Sequence, residues 1–326
     1  MFGSAEEKYV IPDGGSTRVV VLGGTGFVGR HVCAAFVAEG REVVSVSRRA
    51  EPAGPGVRPL ALDLCAAQPA ALARTLTDGR PTLVVNAAGA VWAASEQAME
   101  TANTELVRRL VDGLRRARPR VRLIHLGSVN EYAPTPRGLP VDESAPTLPT
   151  TVYGRTKLRG TELVLDAARR GDLNALVLRM ANVAGPGSPP ASLLGRVAHE
   201  LRLARGRGGT AEIRLAPLRA ERDFVDAADA VDAVTAAARS SVGGRVLNIG
   251  SGEAVSVRAL VDLLIRVSGV PARIVESPAP AGPSAARPEW LEVDIRSARE
   301  LLGWAPRRRL ADAVADLWRE PADPVA

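Results

Sequence analysis

The chain is poor in the residue types that mark several classes of protein. Aromatic residues make up 3% of its 326 residues, too few for the stacking surfaces that bind single-stranded nucleic acid. Its two cysteines and three histidines do not stand at metal-ligand spacings. No apolar run reaches the roughly 18 residues of a membrane span, and the N-terminal segment is too polar for a signal peptide. These scarcities predict a cytoplasmic protein with reduced thiols, no metal site and no membrane contact.

Lysine is also nearly absent, because almost all of the 42 basic residues are arginine. The formal net charge is +6 and the isoelectric point is near 10.1, values that raise the question of a polyanion partner. However, the arginines are scattered among aspartate and glutamate, without a long block of like charges. The charge therefore gives no reason to expect nucleic-acid binding.

Apolar runs alternate with helix-like stretches through the first half of the chain. The hydrophobic fraction of 46% is ample for a large core, and the runs are uninterrupted, as in strands buried on both faces. Repeated βα units of this length predict an α/β protein with a Rossmann-type, doubly wound parallel sheet. Strands are predicted at 19–22, 43–46, 83–85, 121–126 and 175–178, and helices at 28–40, 66–77, 96–118 and 157–170.

Shorter elements follow Gly185-Pro186-Gly187 and predict a smaller, substrate-binding lobe toward the C-terminus. We predict a cofactor-binding domain at 17–184 and the lobe at 185–318, with some strands and helices of the lobe returning to the first domain. Flexible tails are expected at 1–16 and 319–326. In this half, strands are predicted at 212–215 and 246–249, helices at 193–205, 227–240, 257–268 and 297–302, and a loop at 277–288.

A glycine-rich turn directly follows the first predicted strand and opens the first predicted helix. Glycines there permit a tight turn and a close approach of the backbone to a pyrophosphate, which then rests on the helix N-terminus. The strand–turn–helix context makes this motif a specific indication of a dinucleotide cofactor. The predicted contacts are Gly23, Thr25, Gly26, Phe27, Val28 and Gly29.

The end of the second predicted strand indicates which dinucleotide is bound. A carboxylate at this position would bind the ribose 2′-hydroxyl of NAD, whereas arginine accommodates the 2′-phosphate of NADP. The chain has Ser47, Arg48 and Arg49 here, and the first acidic residue is Glu51. The sequence therefore favours NADPH over NAD, with these three residues at the cofactor.

Three further strand ends carry residues suited to the same edge of the sheet. Asp63 and Leu64 follow a short strand, where the acid can meet the adenine amino group or, alternatively, cap the following helix. The small residues Ala87, Ala88 and Gly89 follow the strand at 83–85, and Ser128 follows the strand at 121–126. Because ligands of doubly wound sheets gather at the carboxyl ends of the strands, we expect these residues to lie around one site.

Tyr153 and Lys157 are rare residue types in this chain and stand four positions apart. On a helix this spacing places the phenol and the ammonium on one face. A phenol titrates near pKa ~10, and a cation within about 4–6 Å favours the phenolate. Tyr153 is therefore a candidate proton donor or acceptor near neutral pH. Taken alone, the pair is also compatible with two solvated side chains on an amphipathic helix.

The order of these motifs resembles the extended short-chain dehydrogenase/reductase superfamily, also known as the NAD-dependent epimerase/dehydratase family. The resemblance covers nearly the whole chain and runs from the glycine turn through the strand-end serine to Tyr-x-x-x-Lys. Within the superfamily it is closest to reductases of nucleotide-activated 4-keto-6-deoxyhexoses, such as GDP-4-keto-6-deoxymannose reductase. Segments 140–162, 179–187, 215–230, 248–252 and 294–304 carry the likeness to the nucleotide-sugar branch.

The resemblance implies a role for each matching residue. Tyr153 would be the proton donor, Lys157 would anchor the ribose and lower the phenol pKa, and Ser128 would contact the substrate oxygen. These three are the predicted catalytic residues, and the first two also contact the cofactor. Asn103 is assigned to the cofactor site as well. The predicted substrate contacts are Ser128, Asn130, Asn182 near the phosphates and Arg222 as a diphosphate clamp. A homodimer through the helices at 96–118 and 157–170 is expected from the superfamily.

Departures from the superfamily pattern concern the substrate. Dehydratase members place acidic residues directly after the strand-end hydroxyl, where this chain has Val129 and Asn130, with Glu131 one place later. Dehydration is therefore not expected. Ala133 and Ala184 replace residues usual near the sugar, so the substrate's identity stays open while the cofactor chemistry does not.

The sequence thus predicts an NADPH-dependent ketoreductase that acts on a nucleotide-activated 4-keto-6-deoxy sugar, in deoxysugar biosynthesis for a glycosylated natural product. One alternative is a nucleotide-sugar epimerase that oxidises and re-reduces its substrate on tightly held NAD(P). Another, from a different class, is a non-catalytic NADP-sensing protein on the same fold. The intact Ser128, Tyr153 and Lys157 argue against the second alternative.

Overall fold

The computed structural model describes residues 18–78, 80, 82–91, 95–117, 121–277 and 289–320. The predicted tail at 1–16, most of the tail at 319–326 and most of the loop at 277–288 lie outside these ranges. In the described part of the chain, no helix is both long enough and apolar enough to cross a membrane.

Helices and strands alternate along the described chain. The strands are β1 (Arg18–Leu22), β2 (Val43–Ser47), β3 (Val57–Ala61), β4 (Thr82–Asn86), β5 (Arg122–Ser128), β6 (Asn174–Met180), β7 (Asn182–Ala184), β8 (Ala211–Leu215), β9 (Glu221–Asp226), β10 (Val246–Ile249), β11 (Ala254–Ser256), β12 (Ala272–Glu276) and β13 (Trp290–Leu291). The helices are α1 (Phe27–Ala38), α2 (Pro69–Thr77), α3 (Glu96–Glu100), α4 (Leu106–Leu114), α5 (Val152–Arg169), α6 (Leu193–Arg207), α7 (Ala227–Arg239), α8 (Val257–Ser268), α9 (Arg296–Leu302) and α10 (Leu310–Arg319).

Seven parallel strands form the central sheet, in the order β10-β6-β5-β4-β1-β2-β3. The order reverses between β1 and β4, which is the switch point at which doubly wound sheets bind ligands. This topology confirms the predicted Rossmann-type α/β fold. Strand β10, from the second half of the chain, pairs with β6 at one edge of this sheet.

Both faces of this sheet are buried, as the uninterrupted apolar runs predicted. All five residues of β1 are buried. One face packs against α1 and α7, with Phe36 and Val234 in its core, and the other against α2, α4 and α5, with Leu72 and Leu110 in its core. Because these helices cover both faces, the described part of the sheet offers a ligand the ends of its strands.

The helix that carries Tyr153 begins earlier than predicted. Helix α5 starts at Val152, and the hydroxyl of Thr151 accepts a hydrogen bond from the Gly154 backbone N–H at 3.0 Å, which caps the helix. The predicted start at residue 157 was wrong, because a threonine cap stands outside the apolar pattern. The new start places Tyr153 in the first turn and Lys157 one turn later.

The predicted helix at 96–118 is divided by a π-helical turn at Thr101–Glu105, which separates α3 from α4. A π-turn inserts one extra residue per turn and shifts the faces of the helix that follows. Strand β5 also differs from the prediction, since it continues to Ser128. Ser128 is therefore the last residue of the strand.

The C-terminal lobe has its own core, in which α6, α8 and α10 pack against the two-stranded parallel sheet of β8 and β12. Strand β8 alternates buried and exposed residues, as a sheet covered on one face does. Strand β9 joins the lobe to the site, because it pairs with β7, β11 and β13.

Candidate active site

The glycine turn between β1 and α1 has the shape that a pyrophosphate requires. Gly23 has a φ of +74°, and a Cβ there would lie 2.8 Å from the Ala88 Cα. A Cβ on Gly29 would lie 2.0 Å from the Gly23 carbonyl oxygen. Gly26, at the N-cap of α1, supplies no capping side chain, and the first turn contains no acid. The first N–H groups of α1 can therefore receive an anion, which fits a dinucleotide phosphate.

The predicted cofactor contacts surround this turn. Thr25, Phe27 and Val28 lie in the turn and in the first turn of α1. The backbone N–H of Ala87 donates to the Leu22 carbonyl at 3.0 Å. This bond places the end of β4 beside the end of β1. The residues that follow, Ala88 and Gly89, are the small ones that the sequence indicated.

The end of β2 presents arginine to solvent. Arg48 is exposed, and Arg49 is 87% exposed and lies 3.7 Å from Glu51. The Ser47 hydroxyl donates to the Arg49 carbonyl, which folds the segment back on itself. The exposed guanidinium groups are available to an anion, and their contact with a 2′-phosphate stays a prediction.

Asp63 closes its own turn and does not cap a helix. One of its carboxylate oxygens accepts the Cys65 backbone N–H at 2.9 Å, while α2 starts only at Pro69. The capping alternative is therefore wrong for α2. Asp63 is exposed and Leu64 is buried, and the Leu62 N–H donates to the Ser47 carbonyl at 2.9 Å. Asp63 thus lies beside the β2 end.

Asn103 lies in the π-turn and is 1% exposed. Its side chain accepts the Ala90 N–H at 2.9 Å and donates to the Ala90 carbonyl at 2.9 Å and to the Thr156 hydroxyl at 3.0 Å. These bonds hold the segment after β4 against α5. Asn103 therefore shapes the predicted cofactor site through the backbone of Ala90, and a direct contact with cofactor stays a prediction.

Helix α5 is seated against the end of β5 by a glycine. A Cβ on Gly154 would lie 2.2 Å from the Asn130 carbonyl oxygen, so only glycine allows this approach. The Lys157 ammonium, 5% exposed, donates to the Leu126 carbonyl at 2.5 Å. Tyr153, one turn before Lys157, is half-buried. The structure thus brings the start of α5 and the Ser128 turn together, as the sequence predicted.

At this edge of the sheet, burial and the neighbouring Lys157 disfavour a second positive charge. Burial lowers the pKa of Lys157, and the nearby Glu131 carboxylate partly opposes that effect. Burial, reinforced by Lys157, also holds the pKa of His125 well below its usual value. The His125 Nδ1 lies 3.0 Å from the Asn86 amide nitrogen. Asn86 uses its oxygen to accept the Ala88 N–H, so its NH₂ group faces a neutral imidazole.

The turn after β5 is locked by a capping box. The Ser128 backbone N–H donates to a Glu131 carboxylate oxygen at 2.7 Å, and the Ser128 hydroxyl accepts from the backbone and the side chain of Asn130. Ser128 is 5% exposed. Its hydroxyl therefore has a fixed position at the carboxyl end of the sheet.

Glu131 is fully buried and has both carboxylate oxygens engaged. Besides Ser128, it accepts from the Thr161 hydroxyl at 3.0 Å and from the Arg179 guanidinium at 2.7 Å. The Arg179 guanidinium in turn stacks over the Tyr132 ring, with 4.5 Å from its central carbon to the ring centroid. A carboxylate held in this way is a structural anchor and is not available for acid–base chemistry.

Asn182 and Arg222 lie on neighbouring strands at the lobe side of the site. The Asn182 amide donates to the Asp223 carbonyl at 2.9 Å, across the β7–β9 pairing. Arg222 is half-buried, next to Asp223 on β9. The predicted phosphate-side contacts are therefore adjacent through backbone pairing, and Asp223 stands between them.

Sequence reasoning missed Asp223 and the pairing of Glu131 with Arg179. Asp223 is buried and accepts from Ser251 and Gly252, so it joins β9 to the loop after β10. The Ser-x-x-Glu spacing of 128 and 131 is itself a capping-box signal that could have revealed the role of Glu131. No local signal points to Arg179, because it lies 48 positions away.

Comparisons with known proteins agree with this geometry. The chain is 46% identical over 309 residues to a dTDP-6-deoxy-L-talose 4-dehydrogenase (NAD(P)(+)) of Kitasatospora kifunensis, covering 94% of this chain and 96% of that protein. It is 32% identical over 222 residues to a UDP-glucose 4-epimerase of Streptomyces lividans, covering 64% and 65% of the two chains.

Solved structures show the same architecture. MoeE5 in complex with UDP-glucuronic acid and NAD superposes with a TM-score of 0.80 at 28% identity, over 93% of this chain and 98% of that one. RMD from Pseudomonas aeruginosa complexed with NADPH gives a TM-score of 0.77 at 21% identity, over 93% and 97%, which shows a common fold. The family model for the NAD dependent epimerase/dehydratase family matches residues 19–250. The chain belongs to this family, as its motifs predicted.

Proposed function

We propose that the chain is an NADPH-dependent ketoreductase that reduces the 4-keto group of a dTDP-activated 6-deoxy sugar. The observation that carries the proposal is the packing of the start of α5, which bears Tyr153 and Lys157, against the end of β5 and the Ser128 turn, through Gly154 at the Asn130 carbonyl and Lys157 at the Leu126 carbonyl. The relative named as a dTDP-6-deoxy-L-talose 4-dehydrogenase supports the substrate class. Reduction of a 4-keto group is the reverse of the reaction in that name.

The chain's own residues supply the proton and steady the oxygen. A bound nicotinamide would provide the hydride for the sugar carbon. Tyr153 gives its phenolic proton to the carbonyl oxygen, so that one hydride and one proton convert the ketone to an alcohol. The positive charge of Lys157 favours the phenolate that remains on Tyr153. Ser128 donates a hydrogen bond to the same oxygen.

The lobe side of the site would hold the nucleotide diphosphate. Arg222 offers a guanidinium, which suits bidentate phosphate contact, and Asn182 lies on the neighbouring strand. The anchoring of Asp223 to Ser251 and Gly252 keeps β9 in place beneath them. A rigid β9 would fix the distance between the diphosphate and the sugar carbonyl at Ser128.

NADPH is the proposed cofactor because the end of β2 presents Arg48 and Arg49 and no carboxylate before Glu51. The relative from Kitasatospora kifunensis is named for both NAD and NADP, so the preference requires measurement. A higher kcat/KM with NADPH than with NADH would support the arginine argument. Equal values would contradict it while leaving the ketoreductase intact.

The turn after β5 favours reduction over dehydration. Asn130 has no acid–base group, and both oxygens of Glu131 are engaged with Ser128, Thr161 and Arg179. A second candidate function, epimerisation on a retained cofactor, is supported by the relative named UDP-glucose 4-epimerase. It would use the same Tyr153 and Ser128 but consume no cofactor. A dimer through the helices predicted at 96–118 and 157–170 remains a prediction from the family.

Nicotinamide absorbance separates these candidates. The protein is mixed with NADPH and a panel of dTDP-, GDP- and UDP-4-keto-6-deoxyhexoses, and the reverse reaction is run with NADP⁺ and dTDP-6-deoxytalose. We expect stoichiometric NADPH loss with the dTDP substrate, and a loss of about 10²–10⁴-fold in kcat for Tyr153→Phe.

Tyr132→Phe is the matched control for this experiment. It also removes one phenolic hydroxyl, which donates to the Asn248 side chain at 2.8 Å. We expect it to retain most of the activity. A sugar that changes configuration without net NADPH loss would identify an epimerase. No turnover of any panel member would reject the proposed substrate class.

A further inference from the structure

The Ser128 hydroxyl has its acceptor positions filled from its own turn, where the capping box adds the Glu131 backbone N–H to the donors of Asn130. Asn130 donates to it twice, from the backbone N–H at 3.3 Å and from the side-chain NH₂ at 3.1 Å. A serine hydroxyl has two lone pairs and one hydrogen. With both lone pairs occupied, the remaining hydrogen-bonding capacity of Ser128 is the donation of its hydrogen.

Asn130 is itself held in place from two sides. Its carbonyl oxygen rests against Gly154, where an added Cβ would lie 2.2 Å away. The turn on which it stands is closed by the bond from the Ser128 N–H to Glu131 at 2.7 Å. The fully buried Glu131 cannot move without breaking its pair with Arg179. The backbone of Asn130 is therefore fixed relative to the Ser128 oxygen, and its side-chain NH₂ reaches that oxygen from this fixed backbone.

We propose that Asn130 is a positioning residue that makes the Ser128 hydroxyl an obligate hydrogen-bond donor to the substrate carbonyl oxygen. The inference rests on the proposed function and assigns Asn130 a role other than the substrate contact expected from the sequence. A donor that points at the developing oxyanion stabilises the transition state of hydride addition. A hydroxyl free to accept would spend part of its time turned away from that oxygen.

Aspartate at this position provides the sharpest test because it has the shape of asparagine and the opposite hydrogen bonding. The carboxylate of Asn130→Asp cannot donate to Ser128 and would accept its hydrogen, turning the hydroxyl inward. Asn130→Ala removes only the side-chain donor and keeps the backbone bond. Asn130→Ala therefore weakens the proposed constraint on the Ser128 hydroxyl, and Asn130→Asp reverses it.

The experiment is a double-mutant cycle on steady-state turnover with Ser128→Ala, Asn130→Asp and the double variant. We expect Asn130→Asp to lower kcat about 10²–10³-fold, as loss of an oxyanion donor does, with little change in KM. Asn130→Ala should lose about tenfold or less. The double variant should be no slower than Ser128→Ala, because Asn130 acts only through the Ser128 hydroxyl.

Thermal midpoints and NADPH binding of each variant show whether the fold and cofactor site persist. Equal losses from Asn130→Asp in the wild-type and Ser128→Ala backgrounds would overturn the proposal, as would a KM rise shared by both Asn130 variants. Those outcomes would make Asn130 a substrate contact.

If the protein proves to be an epimerase, the same cycle applies to epimerisation, since the carbonyl oxygen is the same. Failure of the ketoreductase is thus distinguishable from failure of this inference.

Discussion

Two carboxylates, Glu131 and Asp223, are both fully buried but are stabilised in different ways. Glu131 faces a full charge, because Arg179 donates to it at 2.7 Å. Asp223 is met by neutral donors: the Ser251 N–H at 2.7 Å and hydroxyl at 2.9 Å, the Gly252 N–H at 3.0 Å and the Val293 N–H at 3.3 Å. One anchor is an ion pair, and the other is a cluster of neutral donors from the backbone and one hydroxyl.

The two anchors also serve different parts of the site. Glu131 joins the Ser128 turn to α5 and β6, so it holds the reacting side. Asp223 joins β9 to the loop after β10 and to the segment after β13, so it holds the side proposed to bind diphosphate. The comparison predicts that damage at Glu131 lowers kcat, whereas damage at Asp223 raises KM. It also predicts that removing one member of the ion pair lowers the free energy of unfolding more than removing both members does.

The largest effect is expected from Glu131→Met. Removing one member of a buried ion pair leaves the Arg179 charge uncompensated and costs about 3–5 kcal/mol. The double variant Glu131→Met, Arg179→Met removes both charges and should be destabilised less than the single one. Urea unfolding of the two variants and the wild type measures the difference.

A double variant at least as unstable as the single one would contradict this account. It would mean that packing or the bond to Ser128, and not the charge of Arg179, dominates the site. In either case kcat of the double variant should fall, because the Ser128 N–H has lost its acceptor.

A smaller effect is expected from Asp223→Asn. The amide offers one oxygen and places its NH₂ group among donors, which leaves buried N–H groups unsatisfied at a cost of about 1–3 kcal/mol. Because β9 carries Arg222, KM for the sugar nucleotide should rise more than kcat falls. Steady-state kinetics beside urea unfolding checks both. A fall in kcat with KM unchanged would contradict the assignment of Asp223 to the side of the site that binds diphosphate.

The difference in stability between the wild type and Asp223→Asn should depend on pH. Burial raises the pKa of Asp223 to about 6 from 3.8, although the donors from Ser251, Gly252 and Val293 partly oppose it. The folded protein therefore binds this proton more tightly than the unfolded chain between these two values. Stability from this group is present below the unfolded pKa and is lost as pH rises through about 6. The wild type's advantage over Asp223→Asn should accordingly narrow across that interval.

The smallest effect is expected at Glu105, a carboxylate on the surface. Hydrogen bonds from Arg108, and then from Arg109, lower its pKa to about 2. Its side chain is 35% exposed, so solvent screens the pair and Glu105→Gln should cost less than about 1 kcal/mol at neutral pH. The stabilisation is present above the ordinary pKa of 4.5 and is lost as pH falls toward about 2. Urea unfolding at neutral and acidic pH tests this, and a cost equal to that of Glu131→Met would refute the comparison.

The sequence predicted the parallel sheet because its signals are local. Uninterrupted apolar runs mark strands buried on both faces, and Gly26 and Gly29 are required by contacts within their own turn. Tyr153 and Lys157 could be paired from their spacing alone. The helix start at Val152 was missed because Thr151, which caps it, has no place in an apolar pattern.

The arrangement around Ser128 and Asp223 required the tertiary structure. Arg179 lies 48 positions from Glu131, and Val293 lies 70 from Asp223. Such partners meet only because β6 pairs with β5 and β13 with β9, and strand order is a property of the whole chain. The sequence by itself determined the family and the fold, and it supplied the candidate catalytic residues. The folded chain decided which buried carboxylate faces a charge, and it directed the Ser128 hydroxyl by filling both of its lone pairs, since hydrogen-bond direction depends on partners that no local pattern encodes.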